Sequence, residues 1–264
     1  METITSLQNP RFKHALRLHT SRGRQAQGRI IVFGDREVAR AIDAKLQIDE
    51  LFVADSVDTA AIQALQVRLP AFAKMTRITS EVFTKLAYGD RSGTMIATAT
   101  RPETLLDSLQ PQPAALILVV QSIEKPGNLG AIIRSADAAG VSAVILADPL
   151  TDCFHPNSIR SSTAAVFSMP MAAGTSSQVQ TWLSQHEFNV FPAILENAQD
   201  FFTADLRGNV AIVLGNEARG LDDQWSKPEF FPVKLPMNGQ ADSLNVSVTS
   251  SVMIYEAFRQ RRLD

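Results

Sequence analysis

The sequence predicts two α/β domains, and three observations lead to this fold class. Short apolar runs alternate with helical patterns both before and after a proline-rich stretch. Leu116–Val120 is a nearly continuous apolar run, as is typical of a strand buried on both faces of a parallel sheet. Arg101–Pro113 holds three prolines among polar residues, which indicates a linker. We therefore expect a smaller N-terminal domain at 1–104, a linker at 105–114 and a C-terminal domain at 115–264.

The N-terminal domain is predicted to begin with a basic amphipathic helix at 8–20, because apolar residues recur there at helical spacing. Ser21–Gly28 is polar and contains glycine, so we expect a loop or a frayed helix end. The other expected elements are a strand at 30–33, a helix from about 38, a strand at 51–54, a helix at 60–69, strands near 71–74 and 95–99, and a helix near 80–87.

The C-terminal domain continues the strand–helix alternation, which is the pattern of an α/β fold with a mainly parallel sheet. The expected elements are a strand at 116–120, a helix at 129–139, a strand at 143–147, a helix at 176–186, strands at 189–194 and 210–214, a short strand at 233–235 and a helix at 244–261.

Composition narrows the class of protein. The chain is 45% hydrophobic and has no apolar run near the ~20 residues of a membrane helix. The N-terminus shows no export signal, and the one cysteine, Cys153, suits a reducing compartment, so a cytoplasmic protein is expected. Cys153 could act as a nucleophile with His155, but the sequence shows no cationic cluster beside it that would activate a thiol.

Charge is unevenly distributed along the chain. The net charge is −2, but residues 1–40 hold eight Lys and Arg against three acidic residues. A basic segment on an acidic chain indicates a surface that meets phosphates, although a solvated helix face would give the same count. The candidate RNA contacts in this segment are Arg11, Lys13, Arg17, Arg22 and Arg24.

Common cofactor motifs are missing from the sequence. There is no phosphate-binding Gly-x-x-x-x-Gly-Lys, no Gly-x-Gly-x-x-Gly after the first strand and no Gly-x-Ser-x-Gly. The four histidines are scattered, without zinc spacing, so no metal is expected. These observations disfavour a nucleotide triphosphatase, an NAD enzyme and a conventional Rossmann methyltransferase.

The first of three polar motifs begins at Asn128, which we expect to cap the helix that follows strand 116–120. Arg134 lies at the edge of that helix's apolar stripe. It could pair with Asp137 one turn on, or serve as a fixed cation at the carboxyl edge of the sheet, where open α/β folds bind ligands.

Two more motifs follow strands 210–214 and 233–235. Gly215-Asn216-Glu217 ends the first strand, and its glycine permits close approach of the backbone to a ligand. Glu217 could be a helix-start acid or a partner for substrate or arginine. In the third motif, Leu235-Pro236-Met237 leads to Ser243, where a helix cap is expected, and to Asn245.

In their order, spacing and amino-acid sequence, the three motifs resemble those of the SpoU (TrmH-like) family of RNA 2′-O-ribose methyltransferases, part of the SPOUT superfamily. The resemblance covers about 115–262, and the start of the chain, with Gln8-Asn9-Pro10 and Arg29–Ile42, resembles the family's usual N-terminal substrate-binding domain. The chain departs from many members at Phe33, where they have an acid, and at Ala164, where they have glycine. Both departures bear on which RNA is bound rather than on the chemistry.

The resemblance implies a C-terminal domain with a deep trefoil knot, S-adenosylmethionine as methyl donor, and methyl transfer to a ribose 2′-hydroxyl. It implies a homodimer with the active site between subunits and no metal. Ribosomal RNA is favoured, with transfer RNA as the alternative. A non-catalytic RNA-binding protein that keeps the fold, and a small-molecule α/β enzyme with another cofactor, are the competing hypotheses.

The resemblance also implies roles for single residues. The cofactor would contact Leu214, Gly215, Asn216, Leu235, Met237, Leu244 and Asn245. The catalytic group would be Asn128, Arg134, Glu217, Ser243 and Asn245. Because a guanidinium stays protonated, we expect Arg134 to stabilise a developing alkoxide rather than to act as a simple base.

Overall fold

The computed structural model describes residues 1–89 and 93–262, and the chain forms two compact units. Each unit contains its own five-stranded sheet. The first unit comprises Met1–Pro102 and Phe154–Phe167, and the second comprises Glu103–Cys153 and Ser168–Asp264. Both sheets carry helices, so the α/β fold class expected from the sequence is confirmed for each unit.

The first unit contains a mixed sheet with strand order β1-β4-β3-β5-β2. Its strands are β1 (Glu2–Ile4), β2 (Arg29–Phe33), β3 (Ile48–Ala54), β4 (Lys74–Ile78) and β5 (Met95–Thr100). Strand β5 runs antiparallel to β2 and β3, and β4 runs parallel to β1 and β3. The helices are α1 (Pro10–Arg17), α2 (Ser21–Gln27), α3 (Asp35–Asp43), α4 (Thr59–Gln66), α5 (Ser80–Leu86) and, later in the chain, α7 (Pro156–Ser161).

The second unit contains a fully parallel sheet with strand order β8-β7-β6-β11-β9. Its strands are β6 (Leu116–Gln121), β7 (Ala143–Ala147), β8 (Met171–Gly174), β9 (Asn189–Pro192) and β11 (Val210–Leu214). A two-stranded ribbon pairs β10 (Gln199–Asp200) with β12 (Val233–Lys234). The helices are α6 (Pro126–Ala138), α8 (Ser176–Gln185) and α9 (Val246–Arg261).

The order of the parallel strands brings distant segments together. Every residue of β6, β7 and β11 is buried, as the apolar run at 116–120 predicts. Strands β6 and β11 are neighbours in register, with Leu214 opposite Val120. Because they run parallel, the loops that leave their carboxyl ends emerge side by side, which is where open α/β sheets bind ligands.

Several local predictions are wrong, and capping explains one of them. Residues 21–27 form the capped helix α2 rather than a loop or a frayed helix end, because Thr20 accepts a hydrogen bond from Gly23 N and Gly28 ends the helix in the left-handed conformation. Strands β1, β8 and β10 and helix α7 were not anticipated from the sequence, since each is short. Among the described residues, no helix is long and apolar enough to cross a bilayer.

Helix α7 corrects part of the expected domain division. The predicted domain 115–264 included Phe154–Phe167, but this segment clusters with the first unit. Arg40 Nη1 donates to Thr163 O at 2.6 Å and to Thr163 Oγ1 at 2.8 Å, which ties the segment to α3. His155 Nδ1 accepts from Asn157 N at 3.0 Å, so this ring caps α7.

Arg24 is a structural residue rather than an RNA contact, which corrects the sequence-based assignment. Its side chain is fully buried, and Nη1 donates to Leu18 O at 2.9 Å and to His19 O at 3.1 Å. These carbonyls belong to the chain leaving α1, so the guanidinium ties α2 to that chain. A buried charge with these partners cannot meet a phosphate while the fold is intact.

We expect Arg24→Ala to lower the free energy of unfolding by about 1–3 kcal/mol, because two backbone carbonyls lose charged donors. Arg22→Ala is the matched control on the same helix, and its exposed side chain should change stability by less than about 0.5 kcal/mol. Urea unfolding followed by circular dichroism measures both. Equal effects of the two substitutions would contradict the structural role of Arg24.

Candidate functional site

A cavity of about 390 Å³ opens at the carboxyl end of the parallel sheet in the second unit. Three loops form its wall: one after β9, one after β11, and the segment from β12 to the start of α9. The wall combines apolar side chains with polar backbone and side chains, as ligand pockets do. The lining residues include Ile194, Leu214, Gly215, Asn216, Glu217, Leu235, Met237, Ser243, Leu244 and Met253.

Gly215 is required because the chain folds back tightly after β11. Asn216 N donates to Gly220 O at 3.0 Å, and Gly220 N donates to Asn216 O at 2.9 Å. A Cβ at Gly215 would lie 2.2 Å from the backbone carbon of Gly220, a distance that no packed structure tolerates. Any side chain at position 215 would therefore force this loop open.

Asn216 is the buried hub that holds the loops after β6 and β11 together. Its Nδ2 donates to Ser122 O at 2.9 Å and to Glu124 Oε1 at 3.1 Å, both on the loop after β6. Its Oδ1 accepts from Ala218 N at 2.9 Å and from Arg219 N at 3.2 Å within its own loop. With all of these bonds made, Asn216 fixes the conformation from which Glu217 projects.

Asn128 lies inside α6 instead of capping it, which corrects the sequence-based expectation. The helix begins at Pro126, with Lys125 at the capping position, so Asn128 is its third residue. Its amide therefore points outward: Nδ2 donates to Glu217 Oε1 at 2.6 Å. Asn128 Oδ1 lies 3.5 Å from Asn245 Nδ2, at the outer limit of a hydrogen bond.

Asn245, not Ser243, caps α9. Asn245 Oδ1 accepts from Ser247 N at 2.9 Å and from Ser247 Oγ at 2.7 Å. This cap leaves the Asn245 amide nitrogen directed at Asn128, so one side chain both starts the helix and joins the polar cluster. Ser243 is exposed and lines the cavity instead.

The structure therefore brings Asn128, Glu217 and Asn245 together from three separate motifs. Of the seven residues predicted to contact the cofactor, six line the cavity: Leu214, Gly215, Asn216, Leu235, Met237 and Leu244. Asn245 does not line the cavity and lies beside it in the polar cluster, so its contact with the cofactor stays a prediction.

Arg134 stands apart from this cluster. It lies six residues after Asn128 on α6, which places it about 9 Å along the helix axis and about 120° around it. Its side chain is exposed and, within the described chain, makes no hydrogen bond or ion pair. The pairing with Asp137 does not form; Asp137 Oδ1 accepts from Ser168 Oγ at 3.2 Å.

Some residues of the site were not anticipated. Glu124 and Ser122 hold Asn216, and the loop after β9 supplies Ile194 and Leu195 to the cavity wall. The carboxyl-edge rule could have found that loop, since an apolar strand ends there. Among the described residues, no three His, Cys, Asp or Glu side chains are grouped to hold a metal ion.

The predicted RNA contacts of the first unit divide into two groups. Lys13, Arg17 and Arg22 are exposed and offer positive charge to solvent. Arg11 is paired with Glu2 and Glu50, and the hydrogen bond that it donates to Glu50 raises the pKa of Arg11 above its usual value. A charge already neutralised by two carboxylates is a weak phosphate ligand, so Arg11, like Arg24, leaves the proposed contact set.

The chain matches two protein families. Residues 115–255 match the SpoU rRNA methylase family, and residues 9–97 match the MRM3-like substrate binding domain. The curated 23S rRNA (guanosine(2553)-2′-O)-methyltransferase RlmP of Bacillus subtilis is 26% identical over 97% of this chain and 98% of its own length.

Two solved structures match over nearly the whole chain. An rRNA methyltransferase from Sinorhizobium meliloti with bound AdoMet (S-adenosylmethionine) has a TM-score of 0.90 and 26% identity, covering 98% of this chain and 97% of that one. An RNA 2′-O ribose methyltransferase has a TM-score of 0.83 and 39% identity, covering 98% of this chain and 99% of that one. The match to the SpoU model spans more than half of the sequence and includes all three motifs, so the chain belongs to the SpoU rRNA methylase family.

Proposed function

We infer that this chain transfers the methyl group of S-adenosylmethionine to a ribose 2′-hydroxyl of ribosomal RNA. The observation that carries this function is the meeting of Asn128, Glu217 and Asn245 beside the cavity, in a member of the SpoU family. The relative from Bacillus subtilis modifies 23S rRNA. We therefore propose 23S rRNA as the substrate.

When bound, S-adenosylmethionine would supply a reactive methyl group on a sulfonium: the ribose oxygen would take the methyl carbon as its bond to sulfur breaks, and S-adenosylhomocysteine would leave. We propose that the hydroxyl proton passes to an RNA phosphate and that the reaction needs no metal. The cavity fits such a donor. Its volume of about 390 Å³ lies within the range of small-molecule pockets. Leu214, Gly215 and Leu235 would offer backbone groups, and Met237 and Leu244 would cover apolar parts of the cofactor.

Glu217 is proposed to orient the acceptor hydroxyl. Asn128 donates to one of its oxygens, and Asn216 fixes the loop beneath it, so the carboxylate is held at the mouth of the cavity. A carboxylate accepts a hydrogen bond from a ribose hydroxyl and thereby aims the oxygen at the methyl group. Ser243 and Asn245 would position the acceptor nucleotide.

Arg134 is proposed to act in a homodimer, on the substrate bound by the partner subunit. Within its own chain it lies outside the cluster of Asn128, Glu217 and Asn245. A second copy could present the exposed guanidinium to the developing alkoxide, and a fixed cation there would lower the barrier.

One exposed face of α9 supports the homodimer. The opposite face, with Met253 and Ala257, is buried, and Ser251 Oγ lies 2.8 Å from Ser135 Oγ of α6. Val248 and Tyr255 are each 47% exposed and seven residues apart, so they share one face of α9. An apolar helix face next to α6, which carries Arg134, is a suitable dimer contact.

The proposed domains are an RNA-binding domain at 1–104, a linker at 105–114 and a methyltransferase domain at 115–264 that lends 154–167 to the first unit. We further propose that the methyltransferase domain contains a trefoil knot. The likeness to the AdoMet-bound structure from Sinorhizobium meliloti supports the knot. An rRNA substrate also supports a cytoplasmic location.

Gly215→Ala should reduce S-adenosylmethionine binding at least about tenfold, since a methyl group at this position collides with the Gly220 backbone on the cavity wall. Isothermal titration calorimetry measures the affinity. Gly239→Ala is the matched control, because a Cβ there meets no atom within 4 Å. Equal affinity of both variants and the wild type would refute the assigned cofactor site.

Mixing two inactive variants tests whether Arg134 acts across the dimer. We expect Arg134→Ala and Glu217→Gln each to lose methyl transfer by about 10²-fold or more. After unfolding and refolding together, random pairing of subunits should restore about one quarter of wild-type activity, because half the dimers carry one intact site. Transfer of tritiated methyl to rRNA from a strain lacking the gene measures it.

Continued inactivity of the refolded mixture, with dimers present by size-exclusion chromatography, would show that Arg134 acts in its own subunit. A wild-type sample refolded in the same way controls for losses during refolding.

Replacing Lys13, Arg17 and Arg22 together with glutamine should weaken RNA binding and flatten its dependence on salt. Each lost phosphate contact reduces the slope of log K against log salt by about 0.7 to 0.9. Filter binding at several KCl concentrations between about 50 and about 300 mM gives this slope. Cofactor affinity should be unchanged, and an unaltered salt slope would remove these residues from the RNA surface.

A further inference from the structure

The first unit contains a second cavity, of about 320 Å³, built only from its own residues. It lies between α1 and the first residues of β2, β3 and β4, and the loop before β4 contributes Phe72. Nothing in the proposed methyl transfer uses it. Its volume is at the lower end of the range of ligand pockets.

Phe72 gives the cavity an exposed aromatic wall. Phe72 is 58% exposed, whereas Phe52, which also lines the cavity, is 1% exposed and belongs to the core. An exposed phenylalanine ring can bury a large apolar area when another flat group packs against it. A flat ligand could stack on Phe72 and recover that area.

Asp49 gives the cavity an acceptor whose hydrogen bonding is incomplete. Its Oδ2 is buried and lies 3.1 Å from Arg29 Nε, but the N–H group is not aligned for a hydrogen bond to this oxygen. Among the described residues, its Oδ1 accepts one long bond, of 3.4 Å, from Arg29 Nη2. Burial raises the pKa of Asp49 above its usual value.

Glu50, the neighbouring carboxylate in the same cavity, has a full set of hydrogen-bond donors and serves as a comparison for Asp49. Glu50 accepts from Thr76 Oγ1 at 2.7 Å and from two nitrogens of Arg11. Asp49, in contrast, forms an ion pair with the half-exposed Arg29, which gives it one long hydrogen bond and leaves Oδ2 without one. An incoming donor could replace Arg29 at Asp49 and improve the hydrogen bonding there.

We propose that this cavity binds one unstacked RNA base that carries an exocyclic amino group. The base stacks on Phe72 and donates its amino hydrogen to Asp49, while Arg29 turns outward. Adenine, cytosine and guanine carry such a group. Uracil is disfavoured because its one Watson–Crick donor lies between two carbonyl oxygens, which the carboxylate repels.

The surrounding charge favours a nucleotide over a basic peptide. His14, Arg29 and Lys74 border the cavity, and Lys13 and Arg17 are exposed on α1 beside it. Cations at the rim attract a phosphate and repel lysine or arginine side chains. The inference rests on the proposed function, because it names a second contact for the same RNA.

The experiment uses the full chain labelled with nitrogen-15 and titrated with AMP, CMP, GMP or UMP. AMP, CMP or GMP should shift backbone amide resonances at the cavity, and UMP should shift them much less. In filter binding, Phe72→Ala should weaken the affinity for fragmented rRNA about fivefold or more, as expected for one lost stacking contact. Asp49→Asn should abolish the preference over UMP.

Matched controls are Phe202→Ala and Asp43→Asn. Phe202 is 49% exposed in the second unit, and Asp43 pairs with Arg68 at 2.6 Å outside the cavity. Both should keep wild-type binding. Because Phe72 is exposed, its substitution leaves the core intact. The binding measurement on Phe72→Ala therefore still tests the base site even if Asp49→Asn unfolds the chain.

The outcomes separate this inference from the proposed function. If the wild type methylates rRNA but no mononucleotide shifts the cavity resonances, and Phe72→Ala binds RNA like the wild type, the base site is refuted. Shifts at the cavity in a protein that fails to methylate rRNA would instead refute the proposed reaction and keep the site. Equal shifts by all four nucleotides would refute recognition by Asp49.

Discussion

The side chain of Asn216 is the interaction on which the candidate active site depends. It joins the loop after β6 to the loop after β11 through Ser122 O and Glu124 Oε1, and it shapes its own loop through two backbone amides. Only a parallel pair of adjacent strands delivers these two loops to the same edge. The sheet therefore sets where the site is, and one buried amide sets its shape.

The polar cluster of Asn128, Glu217 and Asn245 lies next to Asn216. In the proposed reaction these residues only orient the acceptor, and no covalent bond to the protein forms. The cluster consists of one carboxylate and two neutral amides: Asn128 donates to Glu217 and orients it, and Asn245 lies 3.5 Å from Asn128. Such an arrangement can align a hydroxyl while the donor supplies the reactive methyl group. The cation expected to complete the site, Arg134, lies elsewhere on its own chain, which makes self-association part of the proposed chemistry.

The sequence was informative where strong local patterns coincide with tertiary structure. The strands at 116–120, 143–147 and 210–214 were identifiable because both faces are buried, and six of the seven predicted cofactor residues line one cavity. It failed where tertiary partners decide. The contact of the Asn128 amide with Glu217 and the pairing of Arg11 with Glu50 depend on atoms that only the fold brings near.

The excursion of Phe154–Phe167 into the first unit means that the chain passes between the two units three times. The two units are consequently not separated by a single position in the sequence. Cutting the chain within 105–114 would leave Ile159 and Val166 on the C-terminal fragment, although they belong to the first unit. Their apolar side chains are buried in the intact chain. Exchanging the RNA-binding half between relatives thus means respecting three junctions, and natural recombination at the proline-rich linker alone would separate residues that fold together.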